Sequence, residues 1–270
     1  MMRSKATAFP YLIWMVIFIV APLLLVAYYA VTTPEGEFTI DYISQVGEYT
    51  PVLVRSVWLA AVATVLCLLI AYPLAFIISR RSGNGQRTMI MLVMLPMWMN
   101  FLLRTYAWMT ILEKNGLINR FLANFGIGPL EMINTQGAVV LGMVYNYLPF
   151  MILPLYSIMT KIPQNVIEAA QDLGCSSFQV LGKVLLPLTV PGISTGVIMV
   201  FVPSVSTFII SRMLGGGGNL LIGDLIDLQF LGNAYNPNLG AAISLVLMVL
   251  ILLCMSITNQ FGDEEKEGVI

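Results

Sequence analysis

Side chains able to do acid–base or metal chemistry are scarce wherever this chain is apolar. Its 270 residues include no histidine. The commonest general base and the commonest transition-metal ligand are therefore both missing, and neither a metal site nor a histidine triad is expected. All fourteen carboxylates fall outside the apolar runs, whereas proton- or sodium-coupled carriers usually place acids inside their spans. Sodium sites built from carbonyls and hydroxyls escape that test. The cysteines Cys67, Cys175 and Cys254 offer no extracellular pair, so no disulfide is expected. One charge, Arg104, stands inside an apolar run, where a cation is costly unless paired or hydrated. It either snorkels outward, forms an outer gate, or pairs with a carboxylate of a partner chain. Asp224 and Asp227, in an outer segment apolar enough to dip into the membrane, are the carboxylates expected to meet Arg104 or an ammonium ligand. Trp98, Tyr106, Trp108, Tyr145 and Tyr147 lie at membrane depth. There an alkylammonium resting on an aromatic face gains about 0.5 to 2 kcal/mol, although interfacial aromatic belts account for Trp and Tyr equally well. No G-x-x-x-x-G-K-[ST] motif is present; the glycines at 215–218 lack the following Lys-Ser/Thr and read as a flexible re-entrant turn.

The elements that hold these residues follow from composition. Hydrophobic residues make up 58% of the chain, charged residues 10%, and mean hydropathy is +0.87, which marks an integral membrane protein. A hydrocarbon core of about 30 Å needs roughly 20 apolar residues in a helix. Six runs reach that length, at 10–31, 56–79, 89–112, 137–160, 193–214 and 240–258. The expected fold is an all-α polytopic bundle of six transmembrane helices. The first run is longer than a signal-peptide core and lacks a clear cleavage site, so it reads as a retained helix. With the N-terminus inside, the inner side carries eight basic residues (Arg3, Lys5, Arg80, Arg81, Arg87, Lys161, Lys183, Lys266) against four outside (Arg55, Lys114, Arg120, Arg212). Both termini are thus expected in the cytoplasm. Pro73, Pro96, Pro149, Pro154 and Pro203 fall inside the runs and are expected to irregularise packing more than to act as hinges.

A polar island at 161–193 interrupts this pattern. Pro163 suits the first turn of a helix, and Val166, Ile167, Ala170 and Leu173 recur at three- and four-residue spacing as one apolar stripe. Gly174 is a natural stop, since glycine accepts the left-handed conformation. Ser176 with Gln179 reads as a capping box that starts a second short helix through Leu186, and Pro187 and Pro191 are expected to break the chain ahead of the fifth span. By itself such a loop suits either a membrane surface or a soluble partner that pushes on the spans.

The order Glu168-Ala169-Ala170, Asp172-Leu173-Gly174, Leu186-Pro187-Leu188 and Pro191-Gly192-Ile193 resembles the EAA loop of type I, binding-protein-dependent ABC importer permeases. The resemblance implies that this loop forms a coupling helix seated on an ATPase dimer. Glu168, Ala169, Ala170, Asp172 and Gly174 are then the docking residues, with Cys175 departing from the family's usual small residue. Leu102-Leu103-Arg104-Thr105-Tyr106, Leu148-Pro149-Phe150-Met151 with Pro154-Leu155-Tyr156-Ser157, and Leu220-Leu221-Ile222-Gly223 with Gln229-Phe230-Leu231 are similar to the spermidine/putrescine permease branch. That similarity implies import of polyamines handed over by an extracytoplasmic binding protein, with a second, PotC-like permease completing the path. It also implies that ATP and Mg²⁺ are used by the ATPase and that this chain binds no cofactor.

The expected organisation is an N-terminal helix and first outer loop at 1–54, a permease core at 55–258 that includes the loop 161–193, and an acidic cytoplasmic tail at 259–270. The substrate-path candidates are Trp98, Arg104, Tyr106, Trp108, Tyr145, Tyr147, Asp224 and Asp227. The outer loops carry eight acids against four bases, which attracts cations, though retention of Lys and Arg inside explains that balance too. Other readings are an importer of a different small solute, an ion-coupled carrier and a non-transporting scaffold. Nothing in the composition points to nucleic acid, and an intramembrane enzyme lacks a nucleophile–base pair.

Overall fold

Apolar runs without a breaker become long helices, and the breakers decide where they stop. A computed structural model describes the backbone of residues 3–232 and 234–267. The side chains of 3–8, 259 and 261–267 lie outside that description, so the expectations placed on Arg3, Lys5, Lys266 and the acids of the tail do too. The described residues are helical between their loops, apart from one isolated bridge between Thr32 and Phe38. The helices used below are α1 (Phe9–Ala30), α2 (Thr50–Ser79), α3 (Asn84–Met94), α4 (Phe101–Leu112), α5 (Gln136–Met159), α6 (Gln164–Asp172), α7 (Ser177–Val205), α8 (Ile209–Leu214), α9 (Ile222–Leu231) and α10 (Pro237–Glu267). Five of the described helices are long and apolar enough to cross a membrane, and a bent pair makes a sixth span when counted as one.

That bent pair corrects the third expected span. Residues 89–112 do not form one helix: Asn84–Trp98 and Phe101–Ala123 meet at 88°. Leu95–Trp98 is a 3₁₀ turn containing Pro96, and Met99 is extended at φ −81°, ψ 149°. Proline removes a donor and clashes with the preceding turn. Asn100 then restarts the chain as α4, its Oδ1 accepting from the Leu102 N–H at 2.8 Å and the Leu103 N–H at 3.4 Å.

The fifth span is corrected at both ends. No break occurs at Pro187 or Pro191, because Leu181–Leu185 is a π-turn and the helix continues from Ser177 to Val205. A widened turn just before a proline relieves the clash of its ring with the preceding turn. The same device precedes Pro22, where Val16–Val20 is a π-turn inside α1. At the other end the helix stops at Val205 rather than at residue 214, and α8 begins only after Ser206, Thr207 and Phe208.

The chain divides into two units, residues 1–53 with 225–252 and residues 54–224 with 253–270. In the first, the Asn238 side-chain amide donates to the carbonyls of Tyr29 and Thr32 at the end of α1. Gly240 lies against Gln229 and Phe230, where a Cβ would come within 3.0 Å of both side chains. In the second, α5 and α7 share the longest seam. Gly192 and Gly196 let them approach: a Cβ on Gly196 would lie 2.6 Å from Met151 Sδ, and one on Gly192 3.2 Å from the Pro154 carbonyl. Small residues four apart are the usual way for membrane helices to bring backbones together. Around this seam Cys67, Ala71, Ala75, Met151, Ile152, Leu155, Met159 and Val200 form a buried apolar cluster with α2.

Candidate functional site

The loop between α5 and α7 is built from local backbone chemistry. Pro163 precedes α6 at φ −64°, ψ 145°, one position earlier than expected, so it caps the helix rather than entering its first turn. At the far end Gly174 has φ +86°, a conformation that any side chain would strain. Its N–H donates to the Gln171 carbonyl at 2.8 Å while the Cys175 N–H reaches Ala170 at 3.1 Å, the paired bonds of a Schellman corner. The capping box follows at once: the Ser176 N–H donates to Gln179 Oε1 at 2.8 Å and the Gln179 N–H to Ser176 Oγ at 3.4 Å. Helix, corner and next helix thus leave little slack.

One side of this unit is tied to the spans. Ile167 is buried with Ile162, Val180 and Leu185, and Phe76 of α2, Ala170 and Cys175 pack against them. Arg80, just past the end of α2, donates from Nη1 to the Ile162 carbonyl at 3.0 Å and rests over the Phe76 ring at 5.4 Å. Burial lowers its pKa below the ordinary guanidinium value. The opposite side is open: Glu168, Ala169, Asp172 and Gly174 are exposed, and Leu173 and Phe178 show 86% and 87% of their surface. Leu173 therefore leaves the expected stripe, because it is the residue at which α6 ends and the chain turns outward.

The membrane-depth candidates separate into groups. Trp108 of α4 and Tyr145 of α5 meet edge to face at 5.4 Å. The Tyr147 hydroxyl donates to the Pro203 carbonyl at 3.3 Å, close to the place where α7 stops. Trp98, at the end of the 3₁₀ turn, and Tyr106 are exposed. Asn146 is buried, its amide donating to the Gly142 carbonyl at 2.9 Å while Oδ1 has no partner.

Asp224 does not meet Arg104 as expected. It is fully buried, Oδ2 accepts from the Leu221 N–H at 2.9 Å, and Oδ1 lies 3.8 Å from Nε of the half-exposed Arg212. Three residues into α9, the carboxylate turns back on its own helix start, where the macrodipole favours it. Asp227 is half-buried in the other unit. Gly223 is required beside the stop in α7: a Cβ there would come within 2.6 Å of the Ser206 and Thr207 carbonyls. The run 215–218 is no free turn either, since Asn219 donates to Gly215 and Asn134 carbonyls, both at 2.9 Å, and Arg55 to Gly218.

Sequence reasoning passed over Arg80, Asn100, Asn146 and the Gly192/Gly196 seam. Two of these had visible signals: an asparagine four residues after a proline in an apolar run, and two glycines four apart in a span.

The model of the family described as "Binding-protein-dependent transport system inner membrane component" matches residues 6–261. The spermidine/putrescine transport system permease protein PotB of Haemophilus influenzae is 38% identical over 250 residues, 89% of this chain and 87% of that protein. PotB of Escherichia coli strain K12 is 34% identical over 252 residues, 90% and 91% of the two chains. Among solved structures, a bacterial alginate ABC transporter in complex with an alginate pentasaccharide-bound periplasmic protein superposes with a TM-score of 0.77 at 17% identity, over 96% of this chain and 93% of that one. A helical fold with a cornered loop between spans, matched to one family model along nearly its whole length, places the chain among the inner-membrane permease components of binding-protein-dependent ABC importers, the family to which it belongs.

Proposed function

We propose that this permease carries polyamines, spermidine and putrescine, handed over by an extracytoplasmic binding protein and driven by an ATPase dimer. The observation that carries the substrate assignment is the 34–38% identity to spermidine/putrescine permeases over about nine-tenths of the chain. The chemistry of the path agrees with a flexible polycation. Trp98, Tyr106, Trp108, Tyr145 and Tyr147 offer ring faces to ammonium groups while apolar neighbours take the methylenes. Asp224 adds to the same unit a buried carboxylate that it shares with Arg212.

In this reading both termini are cytoplasmic, the core is residues 55–258, and the ATPase seats against α6. Glu168 makes a polar contact, Ala169 and Ala170 permit close approach, Asp172 borders the contact, and Gly174 turns the chain. Nucleotide binding closes the ATPase dimer and draws the coupling helices together. The Schellman corner and the capping box pass that displacement into α7 without a flexible joint, and the spans reorient to open inward. ATP and Mg²⁺ stay with the ATPase, and a second permease, another chain or another copy, forms the other half of the path.

The test is uptake of labelled spermidine and putrescine into proteoliposomes holding the whole complex with ATP inside. ATP-dependent accumulation of either polyamine is expected. Transport of another solute with none of either polyamine overturns the assignment.

A further inference from the structure

A buried guanidinium in the first turn of α4 has no answering charge among the described residues. Arg104 keeps 8% of its surface exposed, and its Nε and Nη1 are enclosed without a hydrogen-bond partner. The Phe101 ring centroid lies 5.9 Å from Cζ, which offers cation–π attraction but accepts no directed N–H bond. The hydroxyl of Thr105, the next residue, satisfies itself along its own helix by donating to the Phe101 carbonyl at 3.0 Å. A guanidinium has no such recourse. The same turn carries the positive end of the α4 dipole, and no acidic residue stands in it. Asp224, the carboxylate expected here, is engaged by Leu221 and Arg212. Two positive sources converge there, and Nη2, the guanidinium nitrogen that this chain does not enclose, is the one an outside carboxylate oxygen reaches.

We propose that Arg104 receives a carboxylate carried by the second permease subunit, and that this ion pair between subunits sets the register of the two half-paths. The proposal rests on the two-permease reading and, in excluding the cargo as the partner, on the polyamine reading. A polyamine repels Arg104, so the cargo is not its partner. Charged groups within apolar membrane segments pair with facing helices. Leu103, beside it on α4, is exposed and presents apolar surface for that neighbour.

The test uses the full transporter, purified from membranes through a tag on this chain, with recovery of the second permease and ATP-driven uptake both measured. Arg104→Gln is expected to lower recovery and uptake together by about tenfold or more, and Arg104→Lys to lose less. Arg104→Glu is expected to fail until one Asp or Glu of the second permease is changed to Arg. Recovery within twofold of wild type for both Arg104→Gln and Arg104→Glu overturns the proposal, as does intact assembly with lost uptake. Dependence of the Arg104→Gln defect on anionic lipid overturns it in favour of a lipid phosphate. If a variant is absent from the membrane, the charge swap decides: restored levels support the pair, and failure of every swap rejects it. Should the wild-type complex assemble yet move no polyamine, the cargo assignment fails and the recovery results still judge the pair.

Discussion

Helix α7 treats its two ends differently. Near Pro187 it widens one turn at Leu181–Leu185 and runs on, fed by a corner whose polar backbone groups are paired. Near Pro203 it stops, and Ser206–Phe208 leave helical geometry against Gly223. Between these ends the Gly192/Gly196 seam clamps it to α5. In the proposed function the first end transmits displacement. The second leaves backbone irregularity near the Tyr147 hydroxyl, the kind of place where transporters put solute contacts. The α3–α4 junction belongs with the second end, since it too interrupts a span and has a buried polar group, Arg104, with unbonded nitrogens close by.

The largest expected effect comes from breaking the stiff end. Gly174→Pro locks φ near −65° where the chain needs +86°. The protein should remain in the membrane, ATP hydrolysis should persist, and polyamine uptake should fall by an order of magnitude or more; uptake and phosphate release measured on the same proteoliposomes check this. Next is the seam, where Gly196→Leu forces bulk against Met151. Overpacking of this kind costs about 1 to 3 kcal/mol, so the thermal midpoint in detergent should drop by several degrees while Gly182→Leu, with open space around it, should not shift it.

At the broken end Asn100→Ala removes the cap that restarts α4 and should cost about 1 kcal/mol. Asn100→Asp, which keeps an acceptor, should cost less, and chemical denaturation in mixed micelles separates them. The smallest effect is expected from Tyr147→Phe. Losing one hydroxyl donor to the Pro203 carbonyl is worth about 0.5 to 1.5 kcal/mol and should alter the apparent KM for spermidine by a few-fold with assembly unchanged.

The same contrast explains what could be read in advance. Gly174 and the Ser176/Gln179 box were legible because each is a local rule, a left-handed residue and a reciprocal side-chain bond that need no tertiary context. The first, second, fourth and sixth spans were legible from length and apolarity alone. The continuity of α7 was not: proline reads as a breaker, and only the π-turn before it reverses that meaning. The stop at Val205 was hidden for the opposite reason, since it coincides with the packing of Gly223, seventeen residues beyond Ser206. Leu173 fitted the periodicity of α6 but stands where the helix has already ended, so its side chain points outward as part of the open face. Asp224 looked like a partner for Arg104 on charge alone, and its position three residues into α9 gave it a nearer N–H.

Insertion of two glycines between Lys183 and Val184 tests the claim that an unbroken α7 carries the stroke. The account predicts that the complex still assembles and hydrolyses ATP but that labelled spermidine imported per ATP falls at least about tenfold, because the inserted joint absorbs the displacement. An unchanged ratio of spermidine to ATP would contradict it.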